Sequence, residues 1–291
     1  MAIPITDREY VEDNSIMDAG DNAMTDYAEQ RGSLLKELDG LRCEKDTKAR
    51  VGYVILDRPP VNVISEIGRK QIAALLAELD ADPEVRVIVV RGANDAYCAG
   101  GDMRGFLKFP RDKMSNLAHD MGMPERCRKP VIAAMEKFAM GAGFEMALAC
   151  DVRIATENTQ IALPEITLGI IPGSGGTQRL ARIAGLGRAK DMLMRGRSIS
   201  AEEAYEWGVV AEVVPDGGLD DAIAQWTEEL GSMASYPMTT LKRVLNQTYE
   251  TPISTGFHLE GQAFEKLRPG PEFKYGIDCY FEKRKPDYSD M

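Results

Sequence analysis

Long apolar runs are missing from this chain. No stretch approaches the roughly 18 consecutive apolar residues that a membrane-spanning helix needs, so no helical anchor is expected. Histidine is scarce, with only His119 and His258, which weakens readings built on imidazole chemistry without eliminating them. Basic residues are in deficit: 35 Lys and Arg stand against 46 Asp and Glu, a formal net charge of −11. Phosphate-rich polymers and anionic bilayers attract basic surfaces, so neither nucleic acid nor a membrane is an expected partner. A small anionic substrate needs only a few local cations and stays open. The five cysteines (Cys43, Cys98, Cys127, Cys150 and Cys279) are odd in number and contain no CxxC pair, so reduced, buried thiols are expected. The N-terminus lacks the basic-then-apolar layout of a secretory signal. Asp7, Glu9, Glu12, Asp13, Asp18 and Asp21 make it too acidic for a transit peptide. A cytoplasmic protein is the expectation.

What is present is organised in three parts. Residues 1–48 read as an acidic N-terminal extension, in which Leu34, Leu35, Leu38 and Leu41 have the spacing of one short amphipathic helix. From residue 49 the texture changes to strands alternating with helices. Val51–Asp57 is a β-rich run stopped by Arg58-Pro59-Pro60. Ser65 caps a helix whose apolar positions Ile72, Leu75, Leu76 and Leu79 keep helical spacing. Val85–Val90, Val131–Met135 and Val152–Ala155 read as further strands, Gly141–Ala149 as a small-residue helix, Ala201–Trp207 as a helix capped by Ser200, and Val209–Val214 as a last strand. This alternation indicates an α/β fold of βαβ units with a mostly parallel sheet over 49–234. Residues 235–291 read as helices.

Two glycine-rich turns follow strand ends: Tyr97-Cys98-Ala99-Gly100-Gly101-Asp102 and Met140-Gly141-Ala142-Gly143-Phe144-Glu145. Such turns leave backbone N–H groups free to point at a ligand, and the second opens a helix at the positive end of its dipole. Neither matches a phosphate-cradling pattern. One donor from each would stabilise the negative oxygen of a thioester enolate. Glu145 lies in the first turn of that helix among apolar neighbours, and Glu165 lies in a second apolar stretch, Ala162-Leu163-Pro164-Glu165-Ile166. Two carboxyl groups in dry surroundings can hold different protonation states near neutral pH, which is what adding water across a double bond requires.

The segments Phe138–Asp151 and Leu163–Leu180, with the C-terminal Tyr280–Pro286, closely resemble the signature of the enoyl-CoA hydratase/isomerase (crotonase) superfamily over about residues 49–291. The resemblance implies a crotonase-like spiral of βαβ units (the ClpP/crotonase fold) in two roughly perpendicular sheets, followed by a C-terminal helical trimerisation region. It implies that Gly101 and Ala142 form the oxyanion hole; glycine is usual at the second position, so Ala142 adds a methyl near the thioester. It makes Glu145 and Glu165 the catalytic pair and Gly173 a backbone donor to the catalytic water. Arg104, Tyr280 and Lys283 become CoA-binding residues, the last two often across a subunit boundary, and Asp102 fixes the first loop. No metal or other cofactor is implied, because coenzyme A arrives with the substrate. A homotrimer, or a hexamer of two trimers, is implied.

The shared oxyanion hole does not choose the reaction. Both glutamates together favour syn hydration of a 2-enoyl-CoA to the 3-hydroxyacyl-CoA. Enoyl-CoA isomerisation, hydration and cleavage of an aromatic enoyl-CoA, and hydrolysis of a C–C bond remain alternatives, with a non-catalytic CoA-binding scaffold further off. His258 reads as structural. His119, Met114, Met121 and Met123 fall in a segment that in the family lines the acyl pocket, where methionines suit a bulky acyl group or simply pack on the core.

Overall fold

The computed structural model describes residues 32–108 and 117–288. The chain divides into two units, Met1–Glu37 and Leu38–Met291, and the second carries both sheets. Its elements run β1 (Leu41–Asp46), β2 (Val51–Leu56), α1 (Glu66–Ala81), β3 (Val87–Gly92), α2 (Met103–Phe106), α3 (Leu117–Met121), α4 (Met123–Arg126), β4 (Val131–Met135), β5 (Phe138–Met140), α5 (Ala142–Ala149), β6 (Val152–Thr156) and β7 (Gln160–Ala162). A 3₁₀ turn (Glu165–Leu168) follows, then α6 (Gly176–Ala184), α7 (Leu186–Arg195), β8 (Ser198–Ser200), α8 (Ala201–Glu206), β9 (Glu212–Val214), α9 (Leu219–Gly231), α10 (Ser235–Leu245), α11 (Ile253–Leu267) and α12 (Pro271–Phe281).

The main sheet has the order β1-β2-β3-β4-β6-β9, parallel except for the β1–β2 hairpin. Val87-Ile-Val-Val in β3 is fully buried, as expected of a parallel strand covered on both faces. On one face Val51, Val87, Val89, Ile132 and Ile154 pack with Leu219, Ala222 and Ile223 of α9. On the other, α1 comes so close to β2 that a Cβ on Gly52 would lie 2.7 Å from Leu79 Cδ2. A second sheet, β5-β7-β8, is short. Among the described residues no helix is long and apolar enough to cross a membrane.

Ser65 and Ser200 cap α1 and α8 as expected, accepting from Gly68 N at 3.0 Å and Glu203 N at 3.1 Å. Three expectations differ. The helix across Leu34, Leu35, Leu38 and Leu41 is limited to one turn at 32–34; Gly40 takes φ +67°, and Leu41 opens β1, so the sheet begins inside the segment assigned to the extension. The last strand is shorter than Val209–Val214, because Val209 N and Val210 N both donate to Ala204 O and complete the end of α8. β3 starts two residues late, since Val85 N turns back to Asp82 O.

Candidate active site

After β3, residues 97–101 run beside β5. Cys98 N donates to Phe138 O at 3.1 Å and Met140 N to Cys98 O at 2.9 Å, which stitches the first glycine loop to the strand that leads into the second. Gly100 and Gly141 sit at φ +111° and +49°, a region where side chains are strained. The loops touch: a Cβ on Gly100 would lie 3.3 Å from Met140 O, and one on Gly143 only 2.5 Å from Cys98 Cβ. The amides of Gly101 and Ala142 enter no backbone hydrogen bond among the described residues. Ala142 is the first residue of α5, where helix geometry leaves the N–H without an internal acceptor. Two donors from adjoining loops thus stand at the positive end of α5. Cys98, buried in the first loop, has its thiol pushed up to about 12 by burial, so it is inert as a nucleophile.

Glu145 is 2% exposed. Its Oε1 accepts from Ser174 N at 2.7 Å and Gly176 N at 2.9 Å; neither bond uses Oε2. The approach demands glycine at 176, where a Cβ would come within 3.0 Å of Glu145 Cγ. Glu165 lies at the start of the 3₁₀ turn, with Oε1 3.0 Å from the place a Cβ on Gly141 would occupy. Its Oε2 is buried without a partner. Burial pushes the Glu165 carboxyl up to about 7, a hydrogen bond from its own backbone opposes the shift, and the negative charge of Glu145 adds to it. One carboxylate is anchored by two amides; the other is poised to hold a proton near neutral pH.

Of the other residues singled out, Gly173 sits beside this loop, but Ser174 and Gly176 are the amides that bind Glu145. Asp102 caps α2, accepting from Arg104 N at 3.1 Å, and leaves the Arg104 side chain exposed just past the first loop. Tyr280, 75% exposed on α12, and Lys283 make no hydrogen bond to the loops or the glutamates among the described residues. His119 and His258 are both exposed. Met121 is fully buried in the core, Met123 is half-buried, and Met114 lies outside the described residues. Among the described residues no group of three or more His, Cys, Asp or Glu side chains is arranged to hold a metal ion.

Ser174, Gly176, Arg69 and Arg179 were not singled out in the sequence. Ser174 is held at three points: its N–H by Glu145, its Oγ by Arg69 Nη1 at 2.8 Å, and its carbonyl by Arg179 Nη1 at 2.9 Å. Arg69 did carry a signal. It falls three residues before Ile72 on the buried stripe of α1, where a cation is out of place without a task.

A family model described as enoyl-CoA hydratase/isomerase matches residues 46–291. The chain is 34% identical over 247 residues to a probable enoyl-CoA hydratase of Rhizobium meliloti, covering 84% of this chain and 96% of that one. It is 32% identical over 255 residues to a short-chain-enoyl-CoA hydratase of Clostridium acetobutylicum, covering 86% and 97%. The crystal structure of an enoyl-CoA hydratase from Bacillus anthracis superposes with a TM-score of 0.81 at 33% identity, covering 87% of this chain and all of the other.

Proposed function

We propose that this chain, which belongs to the enoyl-CoA hydratase/isomerase family, adds water syn across the double bond of a 2-enoyl-CoA to give the 3-hydroxyacyl-CoA. The observation that carries this reading is the asymmetric carboxylate pair. Glu145 is pinned through Oε1 by two amides, while Glu165 has a carboxyl raised to about 7 and a buried oxygen without a partner.

In this reading the thioester carbonyl accepts from Gly101 N and Ala142 N, whose dipoles are fixed before the substrate arrives. Glu145 Oε2 and Glu165 orient a water, with the Gly173 amide beside them. The water oxygen bonds to C3, and the electron pair of the C2–C3 bond moves onto the thioester oxygen as an enolate. The proton held by Glu165 passes to C2 as the enolate collapses, and the proton lost by the water returns to the carboxylate pair. Both new bonds form on the face the glutamates occupy, which makes the addition syn. Arg104 meets the CoA phosphates, and Tyr280 and Lys283 serve a CoA bound to a neighbouring subunit. The chemistry uses no metal or resident cofactor; coenzyme A comes with the substrate. The C-terminal helices assemble a homotrimer or a hexamer of two trimers.

The test is a spectrophotometric hydration assay with crotonyl-CoA and with longer or aromatic 2-enoyl-CoAs. Glu145→Gln and Glu165→Gln should each lower the rate by about 10²- to 10⁴-fold, the usual worth of positioned acid–base groups, while CoA thioesters still bind. Thioester binding without hydration by the wild type, or rates indifferent to both substitutions, overturns the reading.

A further inference from the structure

Two amides already hold Glu145 and burial already favours a proton on Glu165, so the question is what further biases the pair. Mutual repulsion alone says that both cannot be ionised cheaply, and it does not say which yields. The arginines on Ser174 differ in one respect that bears on this. Arg179 is already neutralised: its Nε and Nη2 grip the two carboxyl oxygens of Glu125 at 2.5 and 2.8 Å. Arg69 forms no ion pair with any described residue, although it is 2% exposed. Its guanidinium lies over the Phe106 ring at 5.2 Å, donates from Nη1 to Ser174 Oγ, and leaves Nε buried without a partner. A Cβ on Gly101 would lie 2.8 Å from Arg69 Nη2, so the same cation also abuts the first glycine loop.

We propose that Arg69 is a positioning residue whose buried, un-neutralised charge keeps Glu145 ionised and thereby leaves the proton on Glu165. The inference rests on the hydratase reading of this site and adds to it a cation that reinforces the division of labour. Burial lowers the proton affinity of Arg69, and the negative charge of Glu145 is the largest influence opposing this. An arginine still keeps its proton in such a place, and its field falls most strongly on Glu145. The other groups facing it are Cys98 from the first loop, Asp120 from α3 and Glu66 from its own helix. Only Glu145 shares its serine: Arg69 holds the side chain of Ser174, and the amide of Ser174 holds Glu145. The charge and the hydrogen bond both pull toward an ionised Glu145. Glu165, raised chiefly by its own burial, feels the resulting negative charge as well and retains its proton.

The experiment is a carbon-13 titration of the glutamate carboxyls by NMR, with the two signals assigned through Glu145→Gln and Glu165→Gln, beside the pH dependence of kcat. Arg69→Met should make the Glu165 signal lose its separate midpoint near 7 and titrate together with its partner, because the cation that biases the pair is gone. It should move the acidic limb of kcat to higher pH and lower kcat only below that limb, about tenfold for each unit the limb moves. KM for the enoyl-CoA should change much less. Arg69→Lys, which keeps the charge, should restore the midpoint. Arg179→Met, which removes a clamp on the same serine but a cation already paired with Glu125, should leave it in place. Unmoved midpoints in Arg69→Met, or an equal shift in Arg179→Met, overturn the proposal. If Arg69→Met does not fold, Arg69→Gln, which keeps a side-chain donor but no charge, is titrated in its place and decides by the same criterion. A wild-type protein that hydrates nothing overturns the hydratase reading, while the titration still answers whether Arg69 places the charge.

Discussion

At the scale of single residues, Glu165 and Gly143 show opposite ways in which a site constrains a sequence. Glu165 is costly to the fold. An exposed glutamate titrates near 4.5, whereas burial holds this one at about 7. The folded chain therefore binds the extra proton between those values, and stability falls as pH rises from about 4.5 to about 7, with the loss complete above that. Glu165→Gln removes the charge, so its melting temperature relative to the wild type should be higher at pH 8 than at pH 5. A difference independent of pH would mean that the carboxyl is not held protonated. Gly143 is constrained by space instead. A methyl there meets Cys98 Cβ at 2.5 Å, and Gly143→Ala should cost about 1–3 kcal/mol in denaturant unfolding, the range for overpacked sites.

Elements fix where those residues meet. β5 is only three residues long, yet its pairing with 97–101 brings the two glycine loops into contact and sets the start of α5 beside the first. The turn before α6 and the first residue of that helix contribute the amides that hold Glu145, and α1 and α6 each send an arginine to brace the turn. α10 is tied to the sheet by Lys242, whose Nζ donates to Asp151 Oδ2 at 2.6 Å, Pro124 O at 2.8 Å and Lys129 O at 3.0 Å. Lys242→Met leaves two carbonyls without this donor and the Asp151 carboxylate with the Val131 amide but no cation. Breaking a buried pair from one side costs about 3–5 kcal/mol, discounted here because Asp151 keeps some solvent contact. A loss of about 2 kcal/mol or more is expected by chemical denaturation; a loss near zero would show that α10 is held by its apolar face alone.

For the molecule as a whole, the outstanding feature is how much apolar surface the last helices leave uncovered. α11 has no buried residue in the chain alone, and Ile253, Phe257, Phe264, Phe273 and Phe281 are exposed. Exposed apolar side chains in such number are what subunit interfaces cover. Under the proposed trimer, Phe257→Ser with Phe264→Ser should shift the sedimenting species from trimer toward monomer and expose the protein to aggregation. A double variant with unchanged sedimentation would place the interface elsewhere. If Tyr280 and Lys283 serve a neighbour's CoA, the same variant should also raise KM for the thioester, because binding would then depend on assembly.

The sequence by itself determined the alternation of strands and helices, the caps at Ser65 and Ser200, the two glycine turns and the two glutamates, because each is written in a local pattern: apolar period, cap chemistry, or glycine at a strand end. Short strands escaped it. β5, β7 and β8 pair with segments remote in the chain, and three residues carry too little periodicity to declare themselves. β1, Leu41-Arg-Cys-Glu-Lys-Asp46, is rich in charge and lacks the apolar run of the other strands. Only the tertiary structure decided what surrounds the glutamates. That Ser174 and Gly176 bind Glu145, that Arg69 lies un-neutralised behind them, and that Glu165 is raised toward neutrality all depend on desolvation and on contacts between residues up to 105 positions apart. Burial is a property of the assembled fold, so a linear pattern can name an acid without fixing its proton.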